Sequence, residues 1–160
     1  MDIFAHGLWS YQLVGRRGRV WPAVLVGTAP DLFAFLPYTT ERLVRGQLWQ
    51  PATGLPDFPL YVFRLYDVSH SLVVAAVVIG LVYLLRKRIP LFLVAWPLHI
   101  LFDIPTHSRA FFPTPFLWPF SNLRVNGVPW STPWLMLLNY GVLALLFALQ
   151  ARRRPGSQRT

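Results

Sequence analysis

The chain has 160 residues, enough for one domain, and 54% of them are hydrophobic against only 13% charged. A soluble domain carries about 25% charged residues, so the composition excludes an ordinary water-soluble globule and calls for a bilayer as solvent. The net charge of +9 does not indicate nucleic acid, because the basic residues fall in short clusters beside apolar runs rather than along one face. With no cysteine, disulfides and thiolate metal sites are excluded.

In chain order, the first residues, Met1-Asp2-Ile3-Phe4-Ala5-His6, lack the basic region and cleavage site of a removable signal peptide. Ile3 to Val14 is apolar but short, which leaves a partial span and an interfacial helix both open. A tight basic turn at Arg16 to Arg19 leads into Val20 to Pro37, an apolar stretch broken only by Asp31. A loop from Tyr38 to Asp67, rich in proline and aromatics, precedes the apolar run Val68 to Leu85. A second basic turn, Arg86 to Pro90, opens Ile89 to Ile104, and Pro105 disfavours helix at Ile104. Another proline- and tryptophan-rich loop, Pro105 to Ser131, leads to Pro133 to Ala151. These stretches are at or just below the ~17–25 residues needed to cross hydrocarbon.

The expected fold is an all-α integral membrane bundle of four to five short transmembrane helices, with proline- and aromatic-rich outer loops. One domain spans residues 1–151, and residues 152–160 form a basic tail. Ten basic residues and no acid lie on the side of the two turns and the tail. By the positive-inside rule that side, with the C-terminus, is cytoplasmic and the long loops face outward. The expected location is a bacterial inner membrane.

The unusual residues fall at matching depths on that topology. His6 lies about as far before the first basic turn as Asp31 lies after it, both roughly 17–20 Å away at 1.5 Å per residue. His70, His99 and Asp103 sit toward the outer end of the second hairpin. His99 and Asp103 are four apart, on one helical face, and His107 is expected in the turn beyond Pro105, able to fold back. The expectation is one metal site near the outer face, built from His6, Asp31, His70, His99, Asp103 and His107. Imidazole and carboxylate without thiolate suit zinc, and also manganese, iron or nickel. An intramembrane carboxylate such as Asp31 is costly unless it is paired or bound to a cation.

The order of His6, the Ala29-Pro30-Asp31 step, Ser69-His70-Ser71, His99-x-x-x-Asp103 with His107, and Pro119-Phe120-Ser121 resembles the bacterial inner-membrane proteins described as predicted metal-dependent hydrolases. That family is distantly similar to zinc-dependent phospholipase C. The resemblance covers roughly Met1 to Ala151 and implies a phosphoester substrate. The zinc phospholipases carry a further histidine and a glutamate on a later helix and use their own N-terminal residue as a ligand. Here the last apolar stretch has neither residue, and Met1 is followed by Asp2. One or two divalent ions, zinc by preference, are therefore expected in place of three.

On this reading His6, His70, His99 and Asp103 hold the metal, and Asp31 either ligates it or acts as general base on a bound water. Arg109 and Arg124 are candidates to grip the phosphate of a membrane lipid or other phosphoester. No nucleic-acid partner is expected. Two other classes use the same residues: a carrier relaying protons or metal ions through the buried His/Asp cluster, and a structural membrane protein with an inactive site.

Overall fold

The computed structural model describes residues 1–15, 19–50 and 54–152. Among them the fold is all-helical: α1 (Ile3–Leu13), α2 (Val20–Val44), α3 (Leu60–Ser69), α4 (Leu72–Arg86), α5 (Ala95–Thr106) and α6 (Pro133–Arg152), with short 3-10 turns at Leu55–Asp57 and Leu91–Val94. Residues 16–18 of the first basic turn, Pro51 of the first long loop and residues 153–160 of the basic tail lie outside the described residues. Arg152, expected to open that tail, is the last residue of α6.

Helix α2 runs through Pro30 and Pro37 to Val44, seven residues past the expected end of its apolar stretch. Two contacts explain the extension. The side chains of Thr39 and Thr40 donate to the carbonyls of Phe35 and Leu36, at 2.9 and 2.8 Å, within the turn that the proline interrupts. Beyond them, α3 packs along the C-terminal half of α2 through a core of Ala34, Val62, Tyr66 and Phe112, ringed by Phe35, Tyr38 and Phe58. Burial of that aromatic cluster outweighs the backbone hydrogen bond that a proline removes.

The run Val68 to Leu85, expected as one span, is broken at His70 and Ser71, where α3 and α4 meet at 53°. The break is built rather than frayed. Ser71 caps α4 by accepting from the backbone N–H groups of Val73 and Val74 at 3.1 and 3.2 Å, and its hydroxyl donates to the Trp118 carbonyl. The backbone N–H of Leu72 donates to the Phe116 carbonyl at 3.0 Å, and the Trp96 indole N–H to the Ser69 carbonyl at 2.7 Å. Backbone groups freed by the interruption thus find partners in protein, as a low-dielectric surrounding requires.

Helix α5 continues past Ile104 and Pro105 to Thr106, against the expected stop. The segment 127–130 lies along its end, and the N–H groups of Gly127, Val128 and Trp130 donate to the carbonyls of His107, Pro105 and Thr106 at 2.8–2.9 Å. Those contacts satisfy the carbonyls that a helix C-terminus leaves open. A Cβ at Gly127 would come within 2.2 Å of the Pro105 oxygen, so this close approach requires glycine.

The distribution of polarity is inverted relative to a soluble protein. His6, Ser10, Gln12, Ser69, His70, His99 and Asp103 are buried, while Phe4, Trp21, Leu85, Phe120 and Leu137 are each more than 70% exposed. Where helices touch, the buried residues are small: Ala5, Ala23, Ala75 and Ala95, the side chains that let helices approach in lipid. Helices α2 and α6 are long and apolar enough to cross a membrane, and α3 with α4 makes a third if the bent pair is one span. α1 and the stretch Leu91–Thr106 are apolar but shorter.

Replacing Ser71 with alanine removes both the α4 cap and the tie to Trp118. The expected cost is about 1–2 kcal/mol, which at this chain length lowers the apparent melting temperature by about 2–8 °C. Thermal unfolding in detergent reads it directly, and an unchanged melting temperature would mean the break does not depend on this hydroxyl.

Candidate metal centre

Four helices converge where the polar residues are buried. α2 supplies Asp31, the α3–α4 break supplies His70, and α5 supplies His99 and Asp103. One ligand atom from each lies within 4.8 Å of all the others. The two histidine Nε2 atoms face each other at 3.1 Å. His70 Nε2 is 3.4 Å from Asp31 Oδ1 and 3.5 Å from Asp103 Oδ2, and His99 Nε2 is 3.8 and 3.1 Å from the same two atoms. With metal–ligand bonds of about 2.0–2.1 Å, the edges of a tetrahedral zinc site are about 3.3–3.4 Å long. The observed separations bracket that value.

The outward-facing sides of both imidazoles determine what the inward sides carry. His99 Nδ1 lies 2.7 Å from the Gly27 carbonyl, so it donates there. His70 Nδ1 donates to Ser69 Oγ at 2.9 Å, with the Tyr66 carbonyl at 3.3 Å. In the neutral ring each Nε2 then turns a lone pair inward, the arrangement in which a histidine ligand is oriented by its other nitrogen. Two lone pairs and two carboxylates facing one point repel each other unless a cation lies between them. Asp103 Oδ2, buried and without a hydrogen-bond partner, is the atom that a cation would satisfy. This Asp/His/His/Asp group can hold a metal ion, and its all-N/O donor set suits a borderline or hard divalent cation.

The other oxygen of Asp103 faces a second group. His6 Nε2 lies 2.9 Å from Asp103 Oδ1, His107 Nδ1 lies 3.4 Å from it, and the amino group of Met1 donates to the same oxygen. The His6 ring stacks on His99 with centroids 3.5 Å apart and planes 21° apart, and its Nδ1 is buried without a partner. Burial holds the His107 imidazole down to about 4, so it is neutral at neutral pH and its nitrogens can ligate. All six residues expected from sequence thus meet around Asp103, four in one compact group and His6 and His107 on its far oxygen.

The two arginines do not join them. Arg124 pairs with Asp67 at 3.0 Å, Arg109 is exposed, and neither lines the cavity that reaches the site. That cavity, about 480 Å³, has Asp31 and His107 in its wall together with Phe35, Phe58, Phe112 and Trp130. Neither arginine is thus brought to the cluster: Asp67 on α3 engages Arg124, and Arg109 is exposed on the loop after α5.

Three positioning groups escaped the sequence reading. Tyr66 stacks on His70 at 3.8 Å and 22° while its hydroxyl donates to the Phe112 carbonyl at 2.8 Å; its place four residues before His70, on the same helical face, was the available signal. Gly27 and the Met1 amino group act through backbone atoms, which side-chain chemistry does not reveal. No protein-family model, curated protein or solved structure matches the chain.

Gly27 is also where α1 crosses α2. An added Cβ would stand 1.8 Å from Ser10 Oγ and 2.6 Å from Ser10 Cβ, which forces α1, with His6, away from the carbonyl that orients His99. Gly27→Ala is expected to weaken divalent-metal binding about 10–100-fold, read by competition with a chromophoric chelator. Gly80→Ala, whose Cβ meets nothing within 4 Å, should leave the affinity unchanged; equal losses in both variants would break the link to His99.

Proposed function

We propose that this chain is a membrane-embedded metal-dependent hydrolase acting on phosphoester bonds, with a lipid phosphoester as its substrate. The observation that carries the reading is the buried Asp31–His70–His99–Asp103 group at the wall of an apolar cavity. The sequence resemblance to the predicted metal-dependent hydrolases of the bacterial inner membrane supports the same class. In this reading α1 and the Leu91–Thr106 stretch complete a bundle of four to five short spans. The site lies near the outer face, and the basic turns and C-terminus lie in the cytoplasm.

Zinc is the preferred ion. His70, His99 and Asp103 would hold one ion, and His6 and His107, again with Asp103, would hold a second, which leaves Asp31 to act on a bound water. When bound, a divalent ion lowers the pKa of a coordinated water toward about 7 and polarises the phosphoryl oxygen. The chain supplies the rest. Asp31, the one member of the four with partial exposure (14%), faces the cavity and takes the proton of the attacking water as general base. The Gly27 carbonyl and Ser69 hydroxyl hold both imidazoles with Nε2 inward, so that neither donates to the carboxylates in place of the cation. Phe35, Phe58, Phe112 and Trp130 exclude water from the approach and offer an apolar wall to acyl chains.

Two measurements test this. Protein purified in detergent should carry at least one zinc or manganese per chain, and His99→Ala and Asp103→Ala should each lose it, by elemental analysis. Well-folded wild-type protein that stays metal-free after reconstitution would end the hydrolase reading. With metal in place, hydrolysis of a phospholipid or of bis-p-nitrophenyl phosphate should fall about 10²–10⁴-fold in Asp31→Asn and vanish on treatment with a chelator. Undiminished turnover in Asp31→Asn would remove Asp31 from the chemistry.

A further inference from the structure

At the opposite end of the molecule, about 18 Å along α2 from Asp31 at 1.5 Å per residue, three arginines meet around a second cavity. Arg19 comes from the start of α2, and Arg86 and Arg88 from the end of α4 and the turn after it. With Val14, Leu91 and Phe92 they line a space of about 290 Å³, near the lower end of small-ligand pockets at about 300–1,000 Å³. This cavity contains none of the residues of the metal centre.

Its chemistry is one-sided. No acid lines it, and no ion pair among the described residues takes up Arg19, Arg86 or Arg88. The Arg19 guanidinium lies 6.0 Å from the Phe92 ring centroid, so an apolar floor orients the cation, and among the described residues no carboxylate pairs with it. Arg19 is also the N-cap residue of the 25-residue α2, and no side chain caps that helix. Its first N–H groups and the positive end of its dipole therefore add to the field at the cavity. Three guanidinium groups close together, with no carboxylate beside them among the described residues, repel one another unless an anion joins them. The apolar half of the lining matches a ligand with a charged head and a greasy neighbour.

We propose that this pocket binds a phosphate group, and that the group is the headgroup of an anionic membrane lipid. Arginine forks match phosphate oxygens in pairs, and basic pockets between helices at the basic end of a membrane protein are suited to anionic headgroups. A free inorganic phosphate shares that chemistry, and the two sources separate by experiment. The pocket is independent of the proposed hydrolysis and survives its failure.

The full chain is purified in a neutral detergent and its melting temperature is followed with dioleoylphosphatidylglycerol, with dioleoylphosphatidylcholine, and with inorganic phosphate against chloride at matched ionic strength. Phosphatidylglycerol is expected to raise the melting temperature by several degrees and phosphatidylcholine to leave it unchanged. Arg86→Gln combined with Arg88→Gln, and separately Arg19→Gln, should remove most of that gain. Arg152→Gln, which deletes a basic residue at the same end outside the pocket, should keep it. Protection by phosphatidylglycerol alone assigns the pocket to a lipid headgroup, and equal protection by inorganic phosphate reassigns it to the free ion. Protection that survives the pocket variants, that disappears equally in Arg152→Gln, or that never arises overturns the proposal.

Discussion

Everything at the centre of this molecule is arranged around the carboxylate of Asp103. Its Oδ2 looks toward His70 and His99 at 3.5 and 3.1 Å, and its Oδ1 toward His6 at 2.9 Å and His107 at 3.4 Å. A fully buried carboxylate is costly to desolvate, and the fold surrounds this one with groups able to donate to it or to share a cation with it. These groups arrive from three places in the fold, so α1, the α3–α4 break and the end of α5 are held in mutual register by one side chain. The same demand explains why the helices touch through alanine and glycine, since large side chains at the crossings would keep the imidazoles apart.

The second organising fact is the inversion of polarity. With the polar residues packed inside and Phe4, Trp21, Leu85 and Leu137 outside, apolar burial does not distinguish one helix arrangement from another in lipid, and specific polar contacts take over that role. They recur at each junction. Asp2 caps α1 and accepts from the Tyr140 hydroxyl at 2.7 Å, Trp9 donates to Asn139 at 2.8 Å, and Trp96 donates to the carbonyl just before the helix break. The aromatic cluster around Phe112 works differently. It is apolar packing, and it fastens the loop after α5 over α3 and the C-terminal half of α2. Phe112 adopts φ 45°, a left-handed conformation that is uncommon outside glycine, held by five aromatic neighbours.

The two ends of the molecule carry opposite chemistry. One gathers acids and imidazoles with inward lone pairs, suited to a divalent cation. The other gathers arginines without acids, suited to an anion. An apolar stretch of helix separates them, so neither neutralises the other.

Residue type and period were enough to determine several things about this protein: a helical, lipid-compatible chain, basic turns at one end, and five histidines and aspartates at similar depth with His107 in the turn beyond them. Those follow from local chemistry, because a histidine at a given distance from a turn has its height set by the rise of a helix. The helix boundaries were not legible in the same way. Pro37 and Pro105 read as stops by local preference, yet α2 and α5 pass through them because α3 and the segment 127–130 supply contacts from distant parts of the chain. The continuous apolar run from Val68 hid a break at His70, since hydrophobicity does not record where a serine hydroxyl meets a loop carbonyl forty-seven residues away. The tautomers of His70 and His99, the cavity beside Asp31, the pairing of Arg124 with Asp67 and the meeting of three arginines around Phe92 likewise depend on non-local packing. Only the tertiary structure decided them, because each depends on atoms brought together by the fold rather than by their spacing in the chain.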